Sequence, residues 1–195
     1  QRLARDLDLP LLFIATDQEG GQLMAIGDGT PLPGNMALGA TRSAELARKA
    51  GEVLGREMSA LGFNVNYAPC ADVNINPQNP VVGVRSFGED PHLVAELTAA
   101  MIEGMQSQGV AATVKHFPGH GNTATDSHIG LPVVDASKDS LTKLELVPFR
   151  ALIGTDRKKN EEGARVDAVM SAHIALPNIE TDLAAPVRAL SANEK

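Results

Sequence analysis

The sequence predicts an α/β fold with a parallel sheet, of the (β/α)8 TIM-barrel kind, and three observations carry that prediction. The chain repeats one unit: an amphipathic helix, a glycine, a short apolar run and then a polar loop. Strands alternating with helices imply parallel pairing through right-handed crossovers. The polar loop always follows the apolar run, and a barrel gathers its reactive side chains at that end of its strands. An open doubly wound sheet places ligands there too. However, the glycine pair after the first strand, DQEGG at 17–21, lacks the G-x-G-x-x-G spacing of a dinucleotide site. Four clear strands are expected within 195 residues, whereas a whole barrel takes ~250, so the barrel is expected to be incomplete.

The elements follow in order. Residues 1–7 read as the end of a helix with Leu3 and Leu7 on one face, closed by Pro10. The run LLFIA at 11–15 suits a strand buried on both faces. It opens into the polar turn at 16–21, and 27–39 is loop rich in Gly and Pro. Residues 43–61 are helical, because Leu46, Ala50, Val53, Leu54, Met58 and Leu61 keep a 3.6-residue period and Gly62 sits where a helix ends. Residues 63–67 alternate apolar side chains with Asn as a strand, then enter a long polar segment holding Asp72, Asn74 and Asn76. Asp90-Pro91 is an N-cap acid before a proline at the first helical position. The helix it starts has Leu93, Val94, Leu97, Met101 and Met105 as its apolar face and stops at Gly109. A buried strand at 110–114 follows, then a polar cluster, a helix at 139–152, a solvated charged loop at 155–163 and a strand at 166–174 carrying His173 near its end.

Composition narrows the function. The chain is 43% hydrophobic and 21% charged, which is ordinary for a globular domain. Its formal charge is -7, with acid and base interspersed, arguing against nucleic-acid and anionic-membrane partners. Aromatics are 3% and Trp is absent, so no stacking platform for bases is expected. Every apolar run is shorter than a membrane span. The single cysteine, Cys70, excludes an intrachain disulfide and a zinc site built from thiolates. That cysteine usage fits the cytoplasm and leaves export open. The chain begins at Gln1, with neither an initiator methionine nor a signal-peptide pattern, so a preceding segment is expected.

The chemistry concentrates in KHFPGHGNTATDSH at 115–128, which follows an apolar strand and turns at Pro118, Gly119 and Gly121. Asp126 and His128 stand at i and i+2, which point the same way in an extended segment. The carboxylate can then orient the imidazole for proton transfer near neutral pH; the alternative is an Asp capping a turn beside a solvated His. Lys115 and His116 end the strand and, being consecutive, face opposite ways unless the strand is irregular. They either bond a substrate or remain a surface lysine and a core histidine. His116, His120 and His128 form a weak zinc pattern, lacking the helical H-E-x-x-H spacing, and no metal or other cofactor is expected. The P-G-H-G turn lacks the Walker lysine spacing for phosphate. Asp17 and Glu19 read as a solvated turn or as site acids. Arg85 either clamps a ligand or pairs with Glu89 or Asp90, and Asp72 is equally open. Met101 and Met105 read as core.

Taken together, DQEGG at 17–21, RSFGEDP at 85–91 and KHFPGHGNTATDSH at 115–128 resemble glycoside hydrolase family three, in its bacterial β-N-acetylhexosaminidase branch. The resemblance runs from about Leu11 to His173, and the third motif with its D-x-H tail is its most specific part. It implies a (β/α)8 barrel and release of a terminal β-linked N-acetylglucosamine from cell-wall fragments or related glycosides, with anomeric retention. It implies that Asp17, Arg85, Lys115 and His116 hold sugar hydroxyls. It further implies that His128 is the general acid/base oriented by Asp126, and that His173 lines the site. Retaining glycosidases commonly use two carboxylates instead. The family nucleophile, an aspartate in a T-D-D-L-like strand end, has no match here, and the strand that precedes Gln1 in the family is missing. The chain is therefore expected to be one partial catalytic domain over 1–195, completed by the remainder of the enzyme, as the same or a separate chain. With open sheet edges it is expected to aggregate alone. Where the family often carries arginine just after DQEGG, this chain reads Gln22, Leu23, Met24 and Ala25, which leaves the aglycone unspecified. Two other readings stand beside hydrolysis: a non-catalytic sugar-binding relative, and a related β-glycosidase or phosphorylase using the same dyad.

Overall fold

A computed structural model describes residues 4, 6–10, 12–126, 129–153 and 165–179. Most of the helix expected at 1–7 and the whole charged loop expected at 155–163 lie outside them. The strands are β1 (Ala15–Thr16), β2 (Gln18–Gly20), β3 (Leu23–Met24), β4 (Val65–Asn66), β5 (Ala111–Phe117) and β6 (Ala168–Ser171). The helices are α1 (Asn35–Thr41), α2 (Ala44–Ala60), α3 (Pro91–Ser107), α4 (Lys138–Lys143) and α5 (Leu146–Ile153). Four strands form one sheet in the order β1-β4-β5-β6, every pair parallel. Neighbours in space follow the order of the chain, with no reversal, as a barrel requires and a doubly wound sheet does not. β2 and β3 form a small antiparallel hairpin on the end of β1.

The two long helices begin as their sequences dictate. Ser43 caps α2 by accepting from the Leu46 amide, and Asp90 caps α3 by accepting from the His92 and Leu93 amides, with Pro91 in the first turn. Gly62 and Gly109 follow these helices at φ 90° and 77°, so each can adopt the left-handed turn that ends a helix. α2 and α3 approach so closely that a Cβ on Gly51 would sit 2.2 Å from the Met101 carbonyl, and one on Gly104 would sit 2.2 Å from that of Arg48. Leu54, Val94, Leu97, Met101, Ile102 and Met105 join Ala112 and Val114 of β5 and Phe149 of α5 in the main core. Each of these side chains larger than alanine contributes roughly 1.5–3 kcal/mol by leaving water. A second cluster, with Val134, Leu141, Leu146, Ile174 and Leu176, lies beyond Phe117, which packs on both.

Three expectations are corrected. The 139–152 helix is two helices broken at Leu144 and Glu145. Pro148 has no amide hydrogen and would clash with the Leu144 carbonyl in a continuous helix, so it starts within the first turn of α5 instead. The 11–15 run is not buried on both faces: Leu12 is 59% and Phe13 88% exposed. Its ladder reduces to Ala15–Thr16, an edge strand paired only with β4 among the described residues. Finally, the loop expected at 27–39 ends early, because α1 begins at Asn35. Asn64 bonds the Ile14 amide and the Leu12 carbonyl, and fully buried Asn66 bonds the Gln18 amide and carbonyl. Side-chain amides thus extend a backbone ladder of only two residue pairs.

The α2–α3 contact predicts a measurable asymmetry among glycines. Gly51→Val should cost about 1–3 kcal/mol, since the helices must separate. Gly27→Ala, where a Cβ would meet nothing within 4 Å, should be near neutral. Urea denaturation of the two variants in the full-length protein checks this.

Candidate active site

The chemistry collects at the carboxyl ends of β1, β4 and β5. After β4 the chain keeps running beside β5: the Ala71 amide donates to the Lys115 carbonyl at 2.7 Å, and Cys70 bridges to Lys115. This carries Cys70 and Asp72 to the same edge as Lys115 and His116. β5 itself is irregular there. Its register against β6 shifts between Lys115 and Phe117, and the Lys115–His116 peptide is cis. The expected opposition of these two side chains does not hold, and both meet carboxylates at this edge.

Lys115 is 1% exposed. Its Nζ lies 2.6 Å from Asp17 Oδ1 and 2.6 Å from Glu19 Oε1. Arg85, from the turn at Gly83–Arg85, grips Glu19 with two donors, Nε to Oε2 at 2.9 Å and Nη2 to Oε1 at 2.7 Å. It pairs with neither of the acids expected from its own motif. Burial alone would raise the Glu19 carboxyl, but the Arg85 hydrogen bonds and the Lys115 charge outweigh it, so Glu19 sits below its ordinary range. Lys115 is held above its ordinary value: burial opposes its charge, and the surrounding negative groups, Glu19 among them, prevail. Asp17 keeps 44% of its side chain exposed and is the acid of this network that faces outward.

A second buried carboxylate organises the histidines. Asp72 Oδ2 lies 2.7 Å from His116 Nδ1, while Oδ1 accepts from the backbone amides of His116 and His120. Burial works to raise Asp72, yet the His116 charge and these hydrogen bonds bring it below its usual range. Ser86 Oγ donates to the Asp72 carbonyl at 2.6 Å and ties the 83–88 segment to the same point. The turn at 118–123 is docked on the loop after Asp72. Asn79 donates to the His120 carbonyl and Asn76 to that of Thr123. Gly121 lies so close that a Cβ would be 1.8 Å from the Val73 carbonyl. His120 is buried: its Nδ1 faces Thr123 Oγ1 at 2.5 Å, and the Thr123 hydroxyl donates to the His120 carbonyl. Burial lowers the pKa of this imidazole.

Of the residues expected at the site, the structure therefore brings together Asp17, Arg85, Lys115 and His116. Asp126 is half-buried, and its carbonyl accepts from the Ile129 and Gly130 amides. His128 lies outside the described residues. His173 is exposed two residues past β6, at the same end of the sheet, and is not joined to the network among the described residues. Glu19 and Asp72 are the functional residues that motif reading left undecided. The i, i+2 spacing that groups 126 with 128 equally places Glu19 beside Asp17.

The fold and this site define a barrel-type protein whose strand ends carry a cation–carboxylate cluster around a half-open acid. Comparison with known proteins gives the class its name. The chain matches the glycosyl hydrolase family 3 N terminal domain over residues 1–192 and belongs to that family. It is 43% identical to beta-hexosaminidase A of Pseudoalteromonas piscicida over 174 residues, 87% of this chain and 28% of the relative. Among solved structures, a glycoside hydrolase family 3 beta-N-acetylglucosaminidase from Paenibacillus sp. str. FPU-7 shares 49% identity at a TM-score of 0.85, covering 93% of this chain and 33% of the other. NagZ from Neisseria gonorrhoeae, solved in complex with N-trifluoroacetyl-D-glucosamine, shares 35% identity at a TM-score of 0.75, over 88% and 50%. The chain thus spans half or less of the length of these relatives. Among the described residues, no helix is long and apolar enough to cross a membrane.

Two carboxyls at this edge carry opposite pH signatures. Glu19 titrates below its unfolded value, so its stabilisation is present above the unfolded pKa near ~4.3 and is lost as pH falls through the folded value. Glu19→Gln should cost about 3 kcal/mol at neutral pH, since buried cations lose their counter-charge, and should flatten the acid limb of stability. Glu145 is 1% exposed, neither carboxylate oxygen is hydrogen-bonded among the described residues, and burial raises its pKa. Its cost appears as pH rises past the unfolded value. Glu145→Gln should therefore raise stability at pH 7 relative to pH 4, by roughly 2–4 °C in melting temperature per kcal/mol recovered. Calorimetry of both variants across pH checks the two signs.

Proposed function

We propose that the protein containing this chain is a retaining glycoside hydrolase that removes terminal β-linked N-acetylglucosamine, or a related N-acetylhexosamine, from cell-wall-derived or similar glycosides. The observation that carries this reading is the clamp of Glu19 by Lys115 and Arg85 at the strand ends. It fixes donors and an outward carboxylate, Asp17, around a position where a sugar's hydroxyls would lie. The names of the relatives and the glucosamine derivative in the Neisseria NagZ structure support the choice of sugar.

In this reading each side chain has a role that its surroundings suit. Asp17 accepts from a sugar hydroxyl. Arg85 and Lys115 are neutralised in place, so they donate hydrogen bonds without leaving unpaired buried charge. His116, held at Nδ1 by Asp72, offers its other ring nitrogen to the substrate. Asp126 orients His128. That imidazole protonates the glycosidic oxygen in the first half-reaction and takes a proton from water in the second. His173 lines the site. The attacking carboxylate comes from the remainder of the enzyme, and residues 1–195 form one part of a single catalytic barrel. No nucleic-acid or membrane partner is assigned, and the enzyme acts in the cytoplasm.

The acid role of His128 predicts a dependence on the leaving group. In the full-length protein, His128→Ala should slow glycosylation by about 100-fold or more for glycosides with poor leaving groups. It should slow activated aryl glycosides much less. Pre-steady-state rates across an aryl series check this, and equal losses for every leaving group would sink the assignment.

A further inference from the structure

The site carries a feature that its sugar chemistry does not use. Cys70 is fully buried, with Sγ 3.7 Å from Glu19 Oε2. Cys70 Sγ, an oxygen of Asp72 and a ring nitrogen of His116 all lie within 4.8 Å of one another. We propose that Cys70, Asp72 and His116 form a site for a thiophilic divalent cation such as zinc or cadmium, and that its occupancy blocks the sugar site. One thiolate, one imidazole and one carboxylate with an open fourth position is a donor set that such ions accept. The lone cysteine rules out a site built from several thiolates, but a mixed set needs only one.

Geometry and charge both favour it. Ligand atoms of a tetrahedral zinc stand roughly 3.3–3.7 Å apart. The 2.7 Å contact between Asp72 and His116 must open slightly and the wider spacings close slightly. Backbone amides hold Asp72 by Oδ1, leaving Oδ2 on the side of the imidazole. His116 is the way in, with 15% of its side chain exposed while Asp72 has none. The cluster holds three carboxylates, Asp17, Glu19 and Asp72, against two permanent cations, Lys115 and Arg85. With His116 in the uncharged form that a metal ligand must take, that leaves one surplus negative charge. A dication that displaces the thiol proton of Cys70 to solvent, forming the metal–sulfur bond, adds one net positive charge and brings the cluster to neutrality.

The blockade rests on the proposed hydrolase reading, because it acts by taking His116 away from substrate; the binding does not. Cadmium titration of the reduced full-length protein, followed by the ultraviolet thiolate-to-cadmium charge-transfer band, separates the two. The expected result is a band that saturates at one cadmium per chain, with release of a β-linked N-acetylglucosamine falling at least tenfold at saturation. Cys70→Ser should lose the band and bind cadmium at least tenfold more weakly. His116→Ala should keep a band but also weaken binding at least tenfold. Circular dichroism verifies folding, and Cys70→Ala replaces Cys70→Ser if the latter unfolds. Absence of a band in the folded wild type, or cadmium affinity in the folded Cys70 variant within twofold of wild type, overturns the site. A saturated band with undiminished turnover overturns the blockade, and a protein without hydrolase activity that still shows the band retains the metal site while the hydrolase reading fails.

Discussion

Glu19 is buried between two cations that arrive from distant parts of the chain, Lys115 from β5 and Arg85 from the long loop before α3. A carboxylate with 2% exposure is tolerable only because both partners are in place, and the cations are tolerable only because Glu19 is. The mutual requirement fixes the hairpin at β2, the 83–85 turn and the end of β5 relative to one another. Asp17, Lys115 and Arg85 are all held in place through that three-way neutralisation.

Asp72 repeats the same solution for the histidines. It spends one oxygen on two backbone amides and the other on the His116 ring, so a single buried acid shapes the 116–120 backbone and aims a side chain. Two acids that face inward thus do the positioning, while Asp17 faces the solvent side. The division follows burial: a carboxylate meant to meet a ligand must be accessible, and one meant to hold a cation must be dry.

Much of this was legible in the sequence. The helix cap at Asp90 and the stops at Gly62 and Gly109 are local chemistry, and they fell where the residues placed them. The parallel sheet in chain order follows from the helix–strand alternation. The partners of Arg85 were not legible, because proximity in its own motif favoured Glu89 or Asp90, whereas the acid it meets is 66 residues away. The role of Asn64 and Asn66 was missed for a related reason. Alternation of polar and apolar residues suggests one wet face, but an amide side chain can pair with a neighbouring strand and stay dry. The break at Glu145 was foreshadowed by Pro148, which the periodicity of the helix concealed.

The docking of the 118–123 turn on Asn76 and Asn79 has a consequence for how this protein can vary. Surface loops commonly absorb inserted residues without harm. Here two loops from successive β/α units interlock through carbonyls and a glycine with no room to spare, so lengthening either would misregister the other. Change in chain length is thereby channelled to segments outside this interlock, while the turn that follows β5 keeps its frame.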